Sequence, residues 1–508
     1  MHTGGVLNIF GKLLVLTSLF LLLPIPFSIY YDDGMAAAFV RCALIGAGVG
    51  LLLVALFRAE SDLGHRDGFA IVVLSWLGLS LLGALPFYFS GVVPAFIDCF
   101  FESMSGFTTT GSTILPQIEL LPKSVLFWRA TTQFLGGMGI IVLSLAILPL
   151  LGVGGMQLFQ AEATGPTKDR LTPRIQDTAR ILWGVYLLFN LALIMLLMLG
   201  GVDFFNAVCH AFATISTGGF SPHSTSVAYY NSGYVEMVII VFMFLGATSF
   251  TLHHQAFRGH LGEYWHSEEF RAYLGMTVVA VILIAGLNWG YGAYEGVGEA
   301  LRSAAFQVVS IQSTTGFGTA DFNLWPAASQ VMLVLLMLVG GCAGSTGGGI
   351  KAVRILLFFK FARQQLRNLV HPRNVATIKL GKVKVGPEVM AAVLGFFSLY
   401  LVVFVIASLV VTALGVDVLT GTTAVISTLS NIGPGLHLVG PAAHFGDLPP
   451  LAKLVLAFCM LAGRLELYTV AVLLTPDFWQ MARRPLWRFG KRAAAAGLPE
   501  NSGHGGGK

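Results

Sequence analysis

Four runs of small and hydroxylated residues recur along the chain: "ESMSGFTTTG", "HAFATISTGG", "QVVSIQSTTG" and "AVISTLSNIG". They end at Gly111, Gly218, Gly316 and Gly433, with gaps of 107, 98 and 117 residues. Glycine and threonine suit neither a packed helix nor a lipid-facing one. Glycine does admit backbone conformations barred to larger residues. A backbone freed in this way can turn its carbonyl oxygens toward a cation and replace the ion's water. One such run alone reads as a helix-packing surface, which small residues often form in membranes. Four at similar spacing read as one ring around one axis.

The elements that must position these runs are apolar. Of 508 residues, 55% are hydrophobic and 11% charged, against about 25% charged in a soluble domain. The expected class is an all-α polytopic membrane protein. Long apolar stretches at 6–30, 35–57, 69–90, 124–151, 181–200, 234–257, 273–290, 388–414 and 450–475 read as spans. A further span over 326–361 reads as broken in its middle. The pieces near 95–109, 203–216, 298–314 and 417–431 are too short to cross. They can enter and turn back. Asp98, Asp203 with Asn206, Glu299 and Asp417 stand at or near their starts, where acids favour a helix N-terminus. Irregular backbone at membrane depth is tolerated where protein buries it or a cavity hydrates it. The repeating unit is span, short helix, loop, span. The expected divisions are two N-terminal spans (1–60), four pore units (61–156, 157–260, 261–385 and 386–482) and a basic, disordered tail (483–508). The first apolar stretch resembles a signal core, but Pro24 and Pro26 follow it rather than a small-residue cleavage site, so it reads as a retained span.

Basic residues set the orientation. Lys351, Arg354, Lys360, Arg363, Arg367, Arg373, Lys379, Lys382 and Lys384 follow one another with no intervening acid. Arg58 and Arg66 mark one shorter loop, and Lys168, Arg170, Arg174 and Arg180 another. Arg483, Arg484, Arg488, Lys491 and Arg492 crowd the C-terminal end. These segments are expected in the cytoplasm, with the short pieces dipping in from outside and both termini inside. The 351–384 run is dense enough for a protein partner as well as anionic lipid; nucleic acid is not expected. Five scattered cysteines form neither a disulfide framework nor a zinc site. The histidines of 251–270 match no metal-ligand spacing. No nucleophile–base constellation suggests an enzyme.

The runs "SGFTTTGST", "ATISTGGFS", "QSTTGFGTADF" and "SNIGPG", with "GGCAGSTGGGIKAVRI" and "MLAGRLELYTV", resemble the TrkH branch of the Trk/Ktr/HKT potassium transporter superfamily over nearly the whole chain. The resemblance implies four pore units in one chain and a homodimer in the bacterial inner membrane. It implies a potassium filter at Thr109, Thr110 and Gly111; Ser216, Thr217 and Gly218; Thr314, Thr315 and Gly316; and Asn431, Ile432 and Gly433. Potassium is then the transported ion, with no organic cofactor on this chain. A cytoplasmic nucleotide-binding regulatory subunit of the TrkA type would dock on the basic loops. Two extra N-terminal spans favour the TrkH over the KtrB type. The fourth run departs from the Thr-Gly form, so the ring is not fourfold in its chemistry.

Six glycines in the thirteen residues 339–351 preclude a helix interior there. The run lacks the Gly-Lys-Ser/Thr ending of a phosphate loop. By resemblance it is an intramembrane gate below the filter, carried by Gly344, Ser345, Thr346, Gly347, Gly348, Gly349 and Lys351. Arg464, well inside the 450–475 stretch, must face the protein interior. Glu466, two residues away, is poorly placed to pair with it on a helix. By resemblance Arg464 repels cations below the filter and pairs with the glycine loop when closed. A proton- or sodium-coupled symporter and a less selective monovalent cation transporter are the alternatives. A symporter calls for intramembrane acids, of which the spans hold few. A membrane enzyme or scaffold calls for a catalytic cluster, and none is visible.

Overall fold

The structure, a computed structural model, describes residues 2–57, 64–146, 171–372, 377–381 and 383–479. Arg58, Lys168, Arg170, Arg373, Lys382 and the tail 483–508, read above as cytoplasmic, lie outside the described residues. The described chain is helical apart from loops and one two-stranded hairpin, Lys379–Leu380 with Val383–Lys384. Six helices are long and apolar enough to cross a membrane, or eight when each of two bent pairs is one span, among the described residues.

The four short pieces are helices: Phe96–Phe107, Phe204–Ile215, Val297–Gln312 and Val418–Leu429. Asp203 and Asp417 cap theirs by accepting from Asn206 N at 3.1 Å and Thr420 N at 2.9 Å. Asp98 and Glu299 sit in the first turns of the other two. Each short helix packs against both long helices of its own segment and against the helix that ends the segment before it. Thus Phe204–Ile215 touches Lys123–Ala146, Val297–Gln312 touches Gly233–Gly246, and Val418–Leu429 touches Ala327–Met337. The chain closes on itself where Phe96–Phe107 touches Pro450–Arg464. Four segments therefore surround one axis in sequence order. Thr3–Phe20 and Ala36–Leu56 lie together outside this arrangement. They cross closely at Gly11 and Gly50, where a Cβ on either would meet the other's carbonyl at 2.7 or 2.6 Å.

Two stretches read as continuous spans are bent instead. The 234–257 stretch turns by 103° between Gly233–Gly246 and Phe250–Phe257. The 450–475 stretch turns by 118° between Pro450–Arg464 and Glu466–Leu474. Arg464 is thus the last residue of a helix, not an interior one. Hydropathy hides the first break because Ala247, Thr248 and Ser249 are small, and the second because Arg464 and Glu466 sit within an otherwise apolar stretch. The 326–361 stretch breaks as expected, into Ala327–Met337 and Ala352–Val370 around the glycine run. By contrast, Lys123–Ala146 runs on through Gly136, Gly137 and Gly139. An interrupted helix leaves carbonyls without donors, and here the glycine run supplies them. Gly246 O accepts from Thr346 N at 3.3 Å and Ala247 O from Cys342 N at 2.8 Å.

Candidate functional site: a ring of four loop ends

Each short helix ends in one geometry. A residue with ordinary helical backbone, Thr108, Ser216, Ser313 or Ser430, is the C-cap. The next residue is left-handed: Thr109 (φ 50°), Thr217 (φ 52°), Thr314 (φ 60°) and Asn431 (φ 55°). The one after it donates five residues back: Thr110 N to Ser105 O at 2.8 Å, Gly218 N to Ala213 O at 2.7 Å, Thr315 N to Ser310 O at 2.9 Å and Ile432 N to Ser427 O at 2.9 Å. This is a Schellman ending, in which glycine usually fills the left-handed site. Threonine there carries a strain of about 1–3 kcal/mol. A second left-handed residue follows, always glycine: Gly111 (φ 84°), Gly219 (φ 77°), Gly316 (φ 81°) and Gly433 (φ 108°).

This backbone shifts the second run by one residue. The set read from sequence was Ser216, Thr217 and Gly218; the residues that match the other three loops are Thr217, Gly218 and Gly219. Ser216 is a C-cap like Thr108. Two consecutive glycines made either alignment possible in the string, and only the φ angles separate them.

In the corrected register the four loops form a closed ring. A Cβ on Gly111 would lie 2.3 Å from Gly218 O; on Gly219, 1.9 Å from Thr315 O; on Gly316, 1.9 Å from Ile432 O; on Gly433, 2.9 Å from Thr110 O. Each glycine abuts the carbonyl at the corresponding position of the next loop. No side chain fits between. The segments that follow are tied in the same order. Ser224 Oγ and N donate to Glu119 at 2.5 and 2.6 Å, and Ala228 N donates to Gly318 O at 3.2 Å. His437 N donates to Asn323 Oδ1 at 2.9 Å, and Phe445 N to Thr113 O at 2.8 Å. Burial pushes the Glu119 carboxyl up, but its bonds to Ser224 more than offset this and leave it below the ordinary carboxylate range.

Buried polar side chains brace the ring. Gln133 donates to Gly218 O at 2.6 Å and accepts from Phe220 N at 3.0 Å. Arg129 pairs with Glu102 at 2.8 Å, donates to Ser221 O at 3.1 Å and lies 4.1 Å from the Phe220 ring centroid. Glu102 also accepts from Ile114 N at 2.9 Å. The pair thus joins the segments after the first and second loops. Sequence reading missed Arg129 and Gln133. An arginine inside an apolar stretch was the available signal.

The glycine run lies against the C-terminal ends of the second, third and fourth short helices. Thr346 Oγ1 donates to Ile215 O and Gly246 O at 2.9 Å. Gly348 N donates to Thr314 Oγ1 at 2.7 Å. A Cβ on Gly348 would meet Ser430 O at 2.5 Å, and one on Gly347 would meet Ser313 O at 3.3 Å. Lys351 Nζ donates to Gly347 O. Arg464, 2% exposed, donates to Thr346 O at 2.7 Å and, at 3.4 Å, to Gly136 O. Ser345 is held by its own loop through Cys342 O at 2.6 Å, while Gly344 and Gly349 take left-handed φ values of 73° and 65°. Glu269 Oε1 accepts from Ala343 N at 2.7 Å and Val353 N at 3.2 Å, pinning both ends of the run. Glu466 does not pair with Arg464. It pairs with the buried Arg354, whose guanidinium lies 4.1 Å from the Phe396 ring centroid.

The comparisons with known proteins agree with one another. The TrkH family, described as "Cation transport protein", matches residues 37–481. The chain is 43% identical to the Trk system potassium uptake protein TrkH of Salmonella typhimurium over 484 residues, 94% of this chain and 100% of that protein. It is 44% identical over 480 residues to the TrkH of Halomonas elongata, covering 94% and 99%. The crystal structure of the potassium transporter TrkH from Vibrio parahaemolyticus superposes with a TM-score of 0.88 at 41% identity, covering 94% of this chain and 100% of that one. This chain is an all-α, multi-pass membrane protein and belongs to the TrkH family of cation transport proteins.

Proposed function

We propose that the chain carries potassium into the cell across the bacterial inner membrane, through a filter made of the four loop ends. The left-handed residues and their successors (Thr109 and Thr110, Thr217 and Gly218, Thr314 and Thr315, Asn431 and Ile432) present backbone carbonyls to the ion in place of water. Gly111, Gly219, Gly316 and Gly433 let neighbouring loops approach closely enough to do so. The carbonyl ends of the four short helices add partial negative charge toward the same axis. Each filter loop belongs to one pore unit, with 1–60 outside the ring.

The run from Gly344 to Gly349, with Lys351, is the gate. It lies across the inner side of the ring, and Arg464 beside it places a positive charge where a cation would leave. Regulation comes from a cytoplasmic nucleotide-binding subunit of the TrkA type on the basic segments, and the working unit is a homodimer with both termini in the cytoplasm. The observation that carries this reading is the cyclic glycine-to-carbonyl contact around all four loops, because a packing surface has no need to close in sequence order. The relatives' description as potassium uptake proteins favours potassium as the cargo.

The test is growth of a potassium-uptake-deficient bacterium at low potassium, paired with flux in proteoliposomes. Wild type is expected to restore growth, and Gly316→Ser to abolish or broaden ion selection. Failure of the folded wild-type chain to carry potassium, with or without a regulatory subunit, sinks the reading.

A further inference from the structure

The four left-handed residues share a backbone but not a partner. Thr109 Oγ1 is buried with no hydrogen-bond partner. Thr217 Oγ1 donates to the adjacent Ser216 O at 2.7 Å. Asn431 Nδ2 reaches across to Thr110 Oγ1 at 2.9 Å and to Met460 O at 2.8 Å. Thr314 Oγ1 accepts from Gly348 N at 2.7 Å. Of these side chains, Thr314 is the one joined by a hydrogen bond to the glycine run. The contact is specific in geometry: Gly348 is held between Thr314 on one side and Ser430 and Asn431 on the other, where a Cβ would meet Ser430 O at 2.5 Å and Asn431 Cβ at 2.9 Å. Thr315, next in the chain, shares its hydroxyl with Ser313 at 2.8 Å. The third loop end is therefore braced above by its own hydroxyls and below by the glycine run.

We propose that Thr314 is a positioning residue that couples the glycine run to the filter, its hydroxyl seating Gly348 when the pore is shut and releasing it when the run moves aside. This rests on the reading of the four loop ends as a filter and of 344–349 as its gate. The coupling is reciprocal, since a bond that holds the run on the loop also holds the loop on the run. Movement of the run therefore breaks the one hydrogen bond it makes to the side chain of a left-handed loop residue, at the third loop end, and ion discrimination changes with gate state.

The test uses the full-length chain in proteoliposomes, with potassium and sodium flux measured separately. Thr314→Val removes the acceptor while keeping size and β-branching. Thr109→Val makes the same chemical change at the equivalent site without a glycine-run contact, and so sets the baseline. Loss of one neutral hydrogen bond shifts a two-state balance by roughly fivefold. Thr314→Val is expected to raise potassium flux by about that factor over the Thr109→Val baseline and to lower the potassium-to-sodium ratio. Thr314→Ser, which keeps a hydroxyl, is expected to recover most of both changes. Thr314→Ala carries the same test should the valine variant not purify as a monodisperse species. Arg464→Ala is measured alongside. If Arg464→Ala raises flux while Thr314→Val matches Thr109→Val, the coupling is wrong and the gate stands. If neither alters flux, the gate reading falls and the coupling with it.

Discussion

The loop ends and the helices beneath them obey different rules. Above, four segments of dissimilar sequence converge on one backbone: helical C-cap, left-handed residue, five-residue back-bond, left-handed glycine. Below, the four second helices differ. Lys123–Ala146 is continuous, Gly233–Gly246 turns by 103° into Phe250–Phe257, the third breaks into the glycine run, and the fourth turns by 118° after Arg464. On the proposed filter, equal coordination of one ion from four sides calls for equal backbones, and the upper level has them. On the proposed gate, a barrier that opens needs one part to move against others that stay, which the unequal lower level allows. A symmetric level reads as binding and an asymmetric one as control.

The sharpest way to break this comparison is at the two neighbouring glycines of the second loop. Gly219→Ala places a Cβ 1.9 Å from the backbone oxygen of Thr315 at a φ of 77°. Neither atom can step aside. Gly218→Ala meets the Gln133 side chain instead, at 2.4 Å, and Gly218 has no left-handed φ. Gly219→Ala is expected to abolish potassium transport, and Gly218→Ala to retain a measurable fraction. The reverse order, read as flux in proteoliposomes, would return the register to Ser216, Thr217 and Gly218.

The next effect concerns stability at the upper level. Glu102 is fully buried and Arg129 is 2% exposed, so removing one partner leaves a charge without compensation. Arg129→Met is expected to cost about 3–5 kcal/mol and to lower the thermal midpoint in detergent clearly. Arg129→Met with Glu102→Gln is expected to regain much of that loss, because no buried charge then remains unpaired. A double variant no more stable than the single one would show that Arg129 acts through Ser221 and Phe220 rather than through charge.

How far the sequence reaches also follows this division. The short helices, the acids at their starts and three of the four closing glycines are local features, written within a dozen residues, and they were legible. The second-loop register was not, because "STGG" offers two glycines to one left-handed site. The bend after Gly246 was not, because its cause is remote: the carbonyls it exposes are satisfied by Thr346 and Cys342, about a hundred residues on. Glu466 read as a poor partner for Arg464 on the premise of one continuous helix; the helix breaks between them, and Glu466 pairs with Arg354. The partner of Arg464, the carbonyl of Thr346, lies 118 residues away; no spacing rule reaches it, and the family resemblance alone pointed to the glycine run.

At the lower level, Arg464→Gln keeps a shorter amide donor and removes the charge, whereas Arg464→Ala removes both. If the charge is the barrier, the two variants raise potassium flux alike, by about tenfold for each 1.4 kcal/mol of barrier lost. If the hydrogen bond to the glycine run matters more, Arg464→Gln stays near wild type and only Arg464→Ala opens the pore. Parallel flux assays on the two proteins separate electrostatic control from mechanical control.

The smallest effect lies at the outer rim, where uniformity ends again. Arg302 of the third short helix pairs with Glu236 through two bonds of 2.7 Å, and Lys453 pairs with Asp98 of the first short helix at 2.6 Å. Both pairs join one segment to the next, yet their settings differ. The Arg302 side chain is 46% exposed and that of Lys453 is 4% exposed. Water screens the first pair, so Arg302→Gln is expected to cost about 0.2–1 kcal/mol and to leave a thermal midpoint shift near the limit of measurement. Lys453 also donates to Gly446 O at 2.7 Å, so Lys453→Met strands both a carboxylate and a carbonyl and costs more. If Arg302→Gln proved the more damaging of the two, burial would not be what ranks these contacts. The segment-to-segment seam at the third short helix would then bear more of the ring's stability than the chain closure between the fourth segment and the first.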